Sequence, residues 1–398
     1  MSGGWSLRDQ YAISGVGATD FSRDSGRTPL TLACEASLAA IADAGLAVED
    51  IDGVVRADYD SVQPGDLAHG LGLPNLRYWG TSGIGGAAPC GMVGQAVAAV
   101  AAGLATNIVV FRALNGRSGL RLGRGSAVQR AASRPVGGNG GYEEFFLPYG
   151  LIAPGQMFAL LARRHMAEFG TAAEDLRAIA LVARRRANAN PAAQMCARPL
   201  TEADYEGARM ISEPLRLFDF CLETDGACAV VVTSTERALD GPNPPALVRA
   251  VAQGSGPRPQ AGTFLTALMR DELLTQPSAA VAELLYQRGG LGPADIDVAQ
   301  LYDCFTITVL LQLEDYGFCA KGEGGPFASS GALDLDGSLP FNTAGGNLSE
   351  GYLHGMSHVL EGVRQIRGTS TSQVTGARTC LVTSGIPAAT SALLLRAA

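Results

Sequence analysis

"SLAAIADAGLAVEDIDGVV" occupies residues 37–55, and "AVAELLYQRGGLGPADIDVAQL" occupies residues 280–301. Each opens with apolar residues at the spacing of an amphipathic helix, passes a Gly-Leu step, and ends in an Asp-Ile-Asp connector before an apolar strand. Gly45-Leu46 matches Gly290-Leu291, and Asp50-Ile51-Asp52 matches Asp295-Ile296-Asp297. A second pair follows the same logic. "CGMVGQAVAAVAAG" (90–103) and "HGMSHVLEGVRQIRG" (354–368) each carry a Gly-Met step at a helix start, end at glycine, and lead into the core strands "NIVVF" and "TCLVTSG". A repeat of helices alternating with apolar strands predicts two α/β halves with mainly parallel sheets.

The halves are unequal. Between "FRALNGRSG" (111–119) and "SEPLRLFDFC" (212–221) lies an insert, about 116–210, with a Gly/Arg-rich loop, the aromatic segment "GYEEFFLPYGLIAPG", and helical stretches near 157–169 and 173–188. A connector that long is a functional segment or a subdomain. The prolines of "GPNPPALVRA" (241–250) cannot continue a helix. They place the join so that one half spans 1–245 and the other 246–398.

The totals narrow the function classes. The 398 residues are 47% apolar and 17% charged, with a formal net charge of -8. That is a soluble, globular composition without the basic face of a nucleic-acid binder. Tyr78 to Phe111 has no charged residue and is long enough to span a bilayer. Its glycines, Pro89 and strand-like end favour a buried turn, core helix and core strand over a membrane span. Eight cysteines without a CxxC pair, and an N-terminus without an apolar leader, point to reduced thiols in a cytoplasmic protein. Only one lysine, Lys321 in "CAKGEGG", could form a Schiff base, and it is expected in an exposed loop.

Four motifs in order resemble the thiolase superfamily along essentially the whole chain. "LETDGACAVVVTS" (222–234) is similar to the turn and strand that end the thiolase N-terminal half. "LYDCFT" (301–306) resembles the His-Asp-Cys-Phe motif of the sterol-carrier thiolases. "NTAGGNLSEGYLHG" (342–355) resembles the Gly-His-Pro loop, and "VTSGIPAATSALLL" (382–395) the final strand pair with its Cys-x-Gly. The resemblance implies an α/β thiolase fold: two pseudo-symmetric halves in a layered αβαβα core, with a loop-domain insert in the first half.

The departures carry the functional reading. The two thiolase histidines fall at Tyr302 and Tyr352, and the Cys-x-Gly cysteine falls at or next to Ser384. The nucleophilic cysteine falls near Gly85 or Gly86, with Cys90 about one turn further on. Tyrosines in both places, together with "FRALNGRSG", look like the thiolase-like aldolases of bacterial steroid side-chain degradation. That resemblance implies retro-aldol cleavage of a steroid β-hydroxyacyl-CoA to a ketosteroid and a short acyl-CoA. It implies Tyr302 and Tyr352 as the acid–base pair. It also implies a homodimer bound to an OB-fold, zinc-ribbon partner in a heterotetramer, with any zinc in the partner and no cofactor beyond the CoA of the substrate.

From the residues alone, a tyrosine base needs a neighbouring donor or positive field, because its ordinary pKa is near 10. Backbone N–H groups at Gly86, Gly345, Gly346, Ser384 and Gly385 could hold an enolate, or these glycines could simply permit tight turns. Asp303 either orients a catalytic group or caps the helix expected over 304–316. Cys90 is either a buried thiol or a thiolase nucleophile. His354 and His358 have the spacing of two ligands on one helix face, but no third ligand is near, so no metal site is expected; His354 could hydrogen-bond a tyrosine or the thioester. The run Arg112, Arg117, Arg121, Arg124, Arg130 and Arg134 suits CoA phosphates, a solvated loop or a subunit contact. Tyr142, Phe145, Phe146, Tyr149 and Met157 suit the wall of a steroid pocket or the packing of the insert. Two alternatives to the lyase remain: a thiolase using Cys90, and a catalytically silent acyl-CoA or sterol-binding protein.

Overall fold

The computed structural model describes residues 5–83, 85–120, 146–259, 268, 270–387 and 389–398. Its strands are β1 (Tyr11–Ala18), β2 (Gly53–Ala57), β3 (Tyr78–Ser82), β4 (Ile108–Asn115), β5 (Met210–Ser212), β6 (Leu215–Arg216), β7 (Asp225–Ser234), β8 (Ala246–Gly254), β9 (Val298–Gln300), β10 (Thr379–Ile386) and β11 (Ala389–Ala397). Nine form one sheet in the order β3-β2-β4-β7-β1-β8-β11-β10-β9, and β5 and β6 form a separate ribbon.

Both repeats are realised residue by residue. The helices Pro29–Asp43 and Pro277–Gly289 run into left-handed glycines, Gly45 at φ +71° and Gly290 at φ +65°. Short 3-10 turns follow, Val48–Asp50 and Pro293–Asp295. The first aspartate of each Asp-Ile-Asp caps its own turn: Asp50 accepts the Ala47 N–H at 2.9 Å, and Asp295 the Gly292 N–H at 2.7 Å. The second grips the chain as it enters the neighbouring strand. Asp52 accepts the N–H groups of Thr106 and Asn107 before β4, and Asp297 those of Arg378 and Thr379 at the start of β10. β4 lies parallel to β2, and β10 parallel to β9. One tripeptide therefore sets the register of the strand that returns from each core helix, Ala88–Ala101 and Met356–Arg367.

Strand direction departs from the expectation. Three neighbouring pairs are parallel (β2–β3, β2–β4, β9–β10), whereas β4–β7, β7–β1, β1–β8, β8–β11 and β11–β10 are antiparallel. β10 turns straight back into β11, and an apolar run buried on both faces reads the same in either direction.

Alternation along the strands builds the layers. Ala227, Ala229 and Val231 of β7 face the helix Pro29–Asp43, while Cys228, Val230 and Val232 face the core helices. Leu393 and Leu395 of β11 face the same core helices from the other side. Ala392 and Leu394 point outward to helices Pro277–Gly289 and Thr306–Asp315, joined there by the insert helices Pro154–Phe169 and Ala173–Asn188. The single sheet continues through the short β1–β8 pairing, and its β7 and β11 sides cover opposite faces of the core helices, so the order is helix, sheet, helix, sheet, helix, an αβαβα core. The charge-free stretch becomes β3, a core helix and β4, and no described helix is long and apolar enough to cross a membrane.

The outer layer sits hard against β1. A β-carbon at Gly15 would lie 2.1 Å from the Ala40 carbonyl oxygen, and one at Gly17 2.2 Å from that of Ala36. These are backbone atoms, which cannot rotate away. Gly17→Ala is expected to lower stability by about 1–3 kcal/mol through overpacking. The denaturant midpoint reads this, and an unchanged midpoint contradicts the packing.

Candidate active site

Tyr302 follows β9 and is held by its backbone. Its N–H donates to Thr383 Oγ1 at 2.8 Å, and its carbonyl accepts from Gln312 Nε2 at 2.7 Å and Thr308 Oγ1 at 3.0 Å. Tyr352 lies in the loop before the helix Met356–Arg367, its N–H donating to Thr224 Oγ1 at 2.8 Å. The two hydroxyls meet at 3.1 Å. Gly86 closes the other side: a β-carbon there would lie 2.0 Å from Tyr302 Oη, so only glycine lets the turn approach the phenol. Burial pushes the pKa of both tyrosines well above the ordinary phenol range. Arg112 acts in the opposite direction on Tyr302 but is outweighed. The pair is therefore two neutral phenols.

Asp303 does not cap the helix Thr306–Asp315, whose N-cap residue is Phe305. Its carboxylate instead accepts the N–H groups of Asn347 at 2.8 Å and Leu348 at 3.3 Å, and lies 3.0 Å from His358 Nε2. It thereby ties the Tyr302 strand end to the loop and helix that flank Tyr352. Gly346 serves this contact, since a β-carbon there would lie 2.3 Å from Asp303 Oδ2. Gly345 gives its N–H to the Asn342 carbonyl at 2.8 Å and packs on Ala187.

The histidines part company. His358 faces Asp303, and His354 faces Arg112, whose Nη2 bonds His354 Nδ1. Among the described residues no group of three His, Cys, Asp or Glu side chains could hold a metal. The His354 ring also stands edge-on to Tyr352, 4.9 Å between centroids. Arg112, grouped with the phosphate-binding candidates by sequence, is wholly buried on β4 and lies 3.9 Å from the buried Asp60. Neither residue announced itself. The available signal was a charge inside the apolar run "NIVVFRAL".

Cys90 is enclosed at the start of its helix. Its N–H donates to Ser384 Oγ at 3.1 Å, and the Ser384 hydroxyl donates to its sulfur at 3.2 Å. Burial pushes the thiol up to about 12, far from a standing thiolate. Gly385 pairs with Thr390 across the β10–β11 turn. Lys321 is exposed, as expected, and its ammonium lies 2.7 Å from Asp315 and 3.3 Å from Glu314.

Arg117 donates its backbone N–H to Asp225 at 2.9 Å, pinning the turn where β4 enters the insert. With Arg23, Arg184 and Arg198 it lines a cavity of about 730 Å³ that also reaches Cys221. Arg121, Arg124, Arg130, Arg134, Tyr142 and Phe145 lie outside the described residues. Met157 is core, Phe146 packs partly buried against that core, and Tyr149 is exposed.

The layered core and the two facing loops define a protein of thiolase fold in which two buried phenols meet between the loops. Residues 262–395 match the family described as thiolase C-terminal domain-like. The steroid side-chain-cleaving aldolase of Thermomonospora curvata is 46% identical over 387 residues, 97% of each chain. The 17-hydroxy-3-oxo-4-pregnene-20-carboxyl-CoA lyase of Mycobacterium tuberculosis is 43% identical, covering 98% of this chain and all of that one. The solved structure of the Ltp2-ChsH2(DUF35) aldolase superposes with a TM-score of 0.91 at 44% identity over 98% of each chain. This chain belongs to the thiolase-like superfamily, in its branch of aldolases, carbon–carbon lyases of the thiolase fold.

Cys90→Ala is expected to retain lyase turnover, and iodoacetamide to leave Cys90 of the folded protein unlabelled in peptide mass spectrometry. Labelling that stops turnover would restore a nucleophilic role.

Proposed function

We propose that the chain is a retro-aldolase that cleaves a β-hydroxyacyl-CoA thioester of a steroid side chain to a ketosteroid and a short acyl-CoA such as propionyl-CoA. The observation that carries this is the 3.1 Å contact between Tyr302 Oη and Tyr352 Oη. Similarity to the two named lyases supports the substrate class.

In the cleavage, the β-hydroxyl loses its proton and becomes a carbonyl as the Cα–Cβ bond breaks. The electron pair left on Cα is held as the thioester enolate until Cα gains a proton. The net proton movement is from one substrate oxygen to one substrate carbon, about 2.5 Å apart across two single bonds. Two hydrogen-bonded phenols perform that transfer without either ending charged. One takes the hydroxyl proton while passing its own to the other, which protonates Cα. Burial raises the pKa of both groups, so the lowered pKa expected of a lone tyrosine base is not met; a resident tyrosinate is disfavoured, and the phenols must pass protons in concert. The enolate oxygen is assigned to the region of Gly86, Ser384 and Gly385, with His354 beside Tyr352. Gly346 is assigned to the support of Asp303, and Gly345 to the close approach of the loop to Ala187.

The arginine-lined cavity is assigned to the CoA arm, because guanidinium groups suit phosphates and Cys221 on its wall donates its N–H to the Cys304 carbonyl at 3.0 Å, two residues from Tyr302. A DUF35 partner is assigned by similarity to the solved Ltp2-ChsH2(DUF35) aldolase; the homodimer, and an OB-fold, zinc-ribbon form of that partner holding any zinc, are assigned from the family resemblance alone. β3 pairs on one side only, and its Trp79 is 65% exposed, which suits contact with a second copy. The two halves are taken to divide at residues 245 and 246.

With the partner present, in D2O, the released short acyl-CoA is expected to carry one deuterium at its α-carbon. Tyr352→Phe is expected to lower kcat by about 10²–10⁴-fold. Mass spectrometry and single-substrate kinetics read both. Full activity in Tyr352→Phe sinks the tyrosine mechanism, and no release of a short acyl-CoA from any β-hydroxyacyl-CoA steroid sinks the lyase assignment.

A further inference from the structure

Behind His354 stands a buried charge pair that the proton relay does not use. Arg112 sits on β4 with no exposed surface, and Asp60 follows β2 at 3% exposure. Asp60 is anchored by two backbone donors, the Ala57 N–H at 3.1 Å and the Ala113 N–H at 3.3 Å. Its Oδ1 lies 3.9 Å from Arg112 Nε. The guanidinium reaches forward from there, with Nη1 donating to the Gly85 carbonyl at 3.2 Å and Nη2 meeting His354 Nδ1. It thus touches the two segments that enclose the tyrosine pair: the Gly85–Gly86 turn and the loop of Tyr352. Enclosing an ion pair in the core is costly unless close geometry and further hydrogen bonds offset the desolvation, and here Arg112 Nε makes no hydrogen bond of its own.

We propose that Asp60 and Arg112 are positioning residues for the reaction assigned above: Arg112 donates into His354 Nδ1, fixes the Nε2–H tautomer, and makes His354 the N–H donor to the thioester oxygen as enolate charge develops. The inference rests on that reaction for the identity of the acceptor. The tautomer itself follows from hydrogen-bond chemistry. A guanidinium has only donors, so the nitrogen it meets must present a lone pair, and the ring's proton resides on Nε2. A neutral imidazole N–H of this kind can polarise a carbonyl. Burial, and then Arg112, push the His354 pKa well below its ordinary value, which keeps the ring neutral. His354 also holds φ at +53°, in the left-handed region. That backbone conformation is unusual for a β-carbon residue and is characteristic of functional loops. It turns the ring edge-on to Tyr352 and toward Tyr59, whose ring centroid is 6.2 Å away. Asp60 fixes the guanidinium, the guanidinium fixes the imidazole, and the imidazole meets the substrate.

The chain has four histidines, so selective ¹⁵N-histidine labelling gives few imidazole signals, and His354→Gln identifies the one in question. The wild-type protein at neutral pH is expected to show His354 as a neutral ring with protonated Nε2 and unprotonated Nδ1. A protonated Nδ1 or an imidazolium overturns the proposal, and this readout does not depend on turnover. In kinetics, the paired variant Asp60→Asn/Arg112→Met leaves no lone buried charge. It is expected to lose the fixed tautomer and about 10²-fold in kcat, with KM nearly unchanged. His354→Gln, whose amide N–H reaches the Nε2 position, is expected to keep more activity than His354→Asn. Equal losses in those two folded variants overturn the donor role. If His354 has the wrong tautomer while Tyr352→Phe is inactive, this proposal fails and the relay stands. If no acyl-CoA is released by wild type, the reaction assignment fails instead.

Discussion

The hydrogen bond between Tyr302 and Tyr352 is the contact around which the rest of the site is organised. It joins residues fifty apart, one at the end of β9 and one in the loop before a core helix. Neither loop could hold its phenol alone. Tyr302 is fixed by Thr383, Thr308 and Gln312, and Tyr352 by Thr224. Asp303 then locks one loop to the other through Asn347, Leu348 and His358. Because backbone donors already bond that carboxylate, losing it would strand buried N–H groups as well as loosen the pair.

Charge is distributed economically around this neutral centre. The phenols, the His354 ring and the Cys90 thiol are all held in their uncharged forms by burial. Arg112 and Asp60 supply the buried ionic pair nearby, one side chain removed from the phenols. An acyl-transfer site of this fold would need a thiolate at the helix start. Here two serine hydroxyls, Ser384 and Ser391, occupy the N–H groups of Cys90 and Gly91 instead.

The sequence was most informative where chemistry repeats. The two Asp-Ile-Asp tripeptides located both helix-turn-strand units, and each aspartate does the same job in both. The tyrosines were legible because each fills a motif whose neighbours are preserved. The direction of the strands was not legible, because a run buried on both faces carries no polarity. Asp60 and Arg112 were hidden for a different reason. They lie fifty-two positions apart, and only the pairing of β2 with β4 brings them together. In a linear reading, Arg112 groups with the arginines that continue into the insert, and the one local sign of its burial is its place at the end of the apolar run "NIVVF". For Asp303 the local sequence leaves open whether it orients a catalytic group or caps a helix, because its N–H partners, Asn347 and Leu348, lie forty-four and forty-five residues further on.

The central claim is that the two phenols act as one proton-transferring unit. The most direct measurement is a kinetic double-mutant cycle on kcat with Tyr302→Phe, Tyr352→Phe and the combined variant, all checked for native folding. The account predicts that the combined variant is about as slow as either single one, because breaking the relay once removes its whole effect. Losses that multiply would show two independent tyrosines and contradict it.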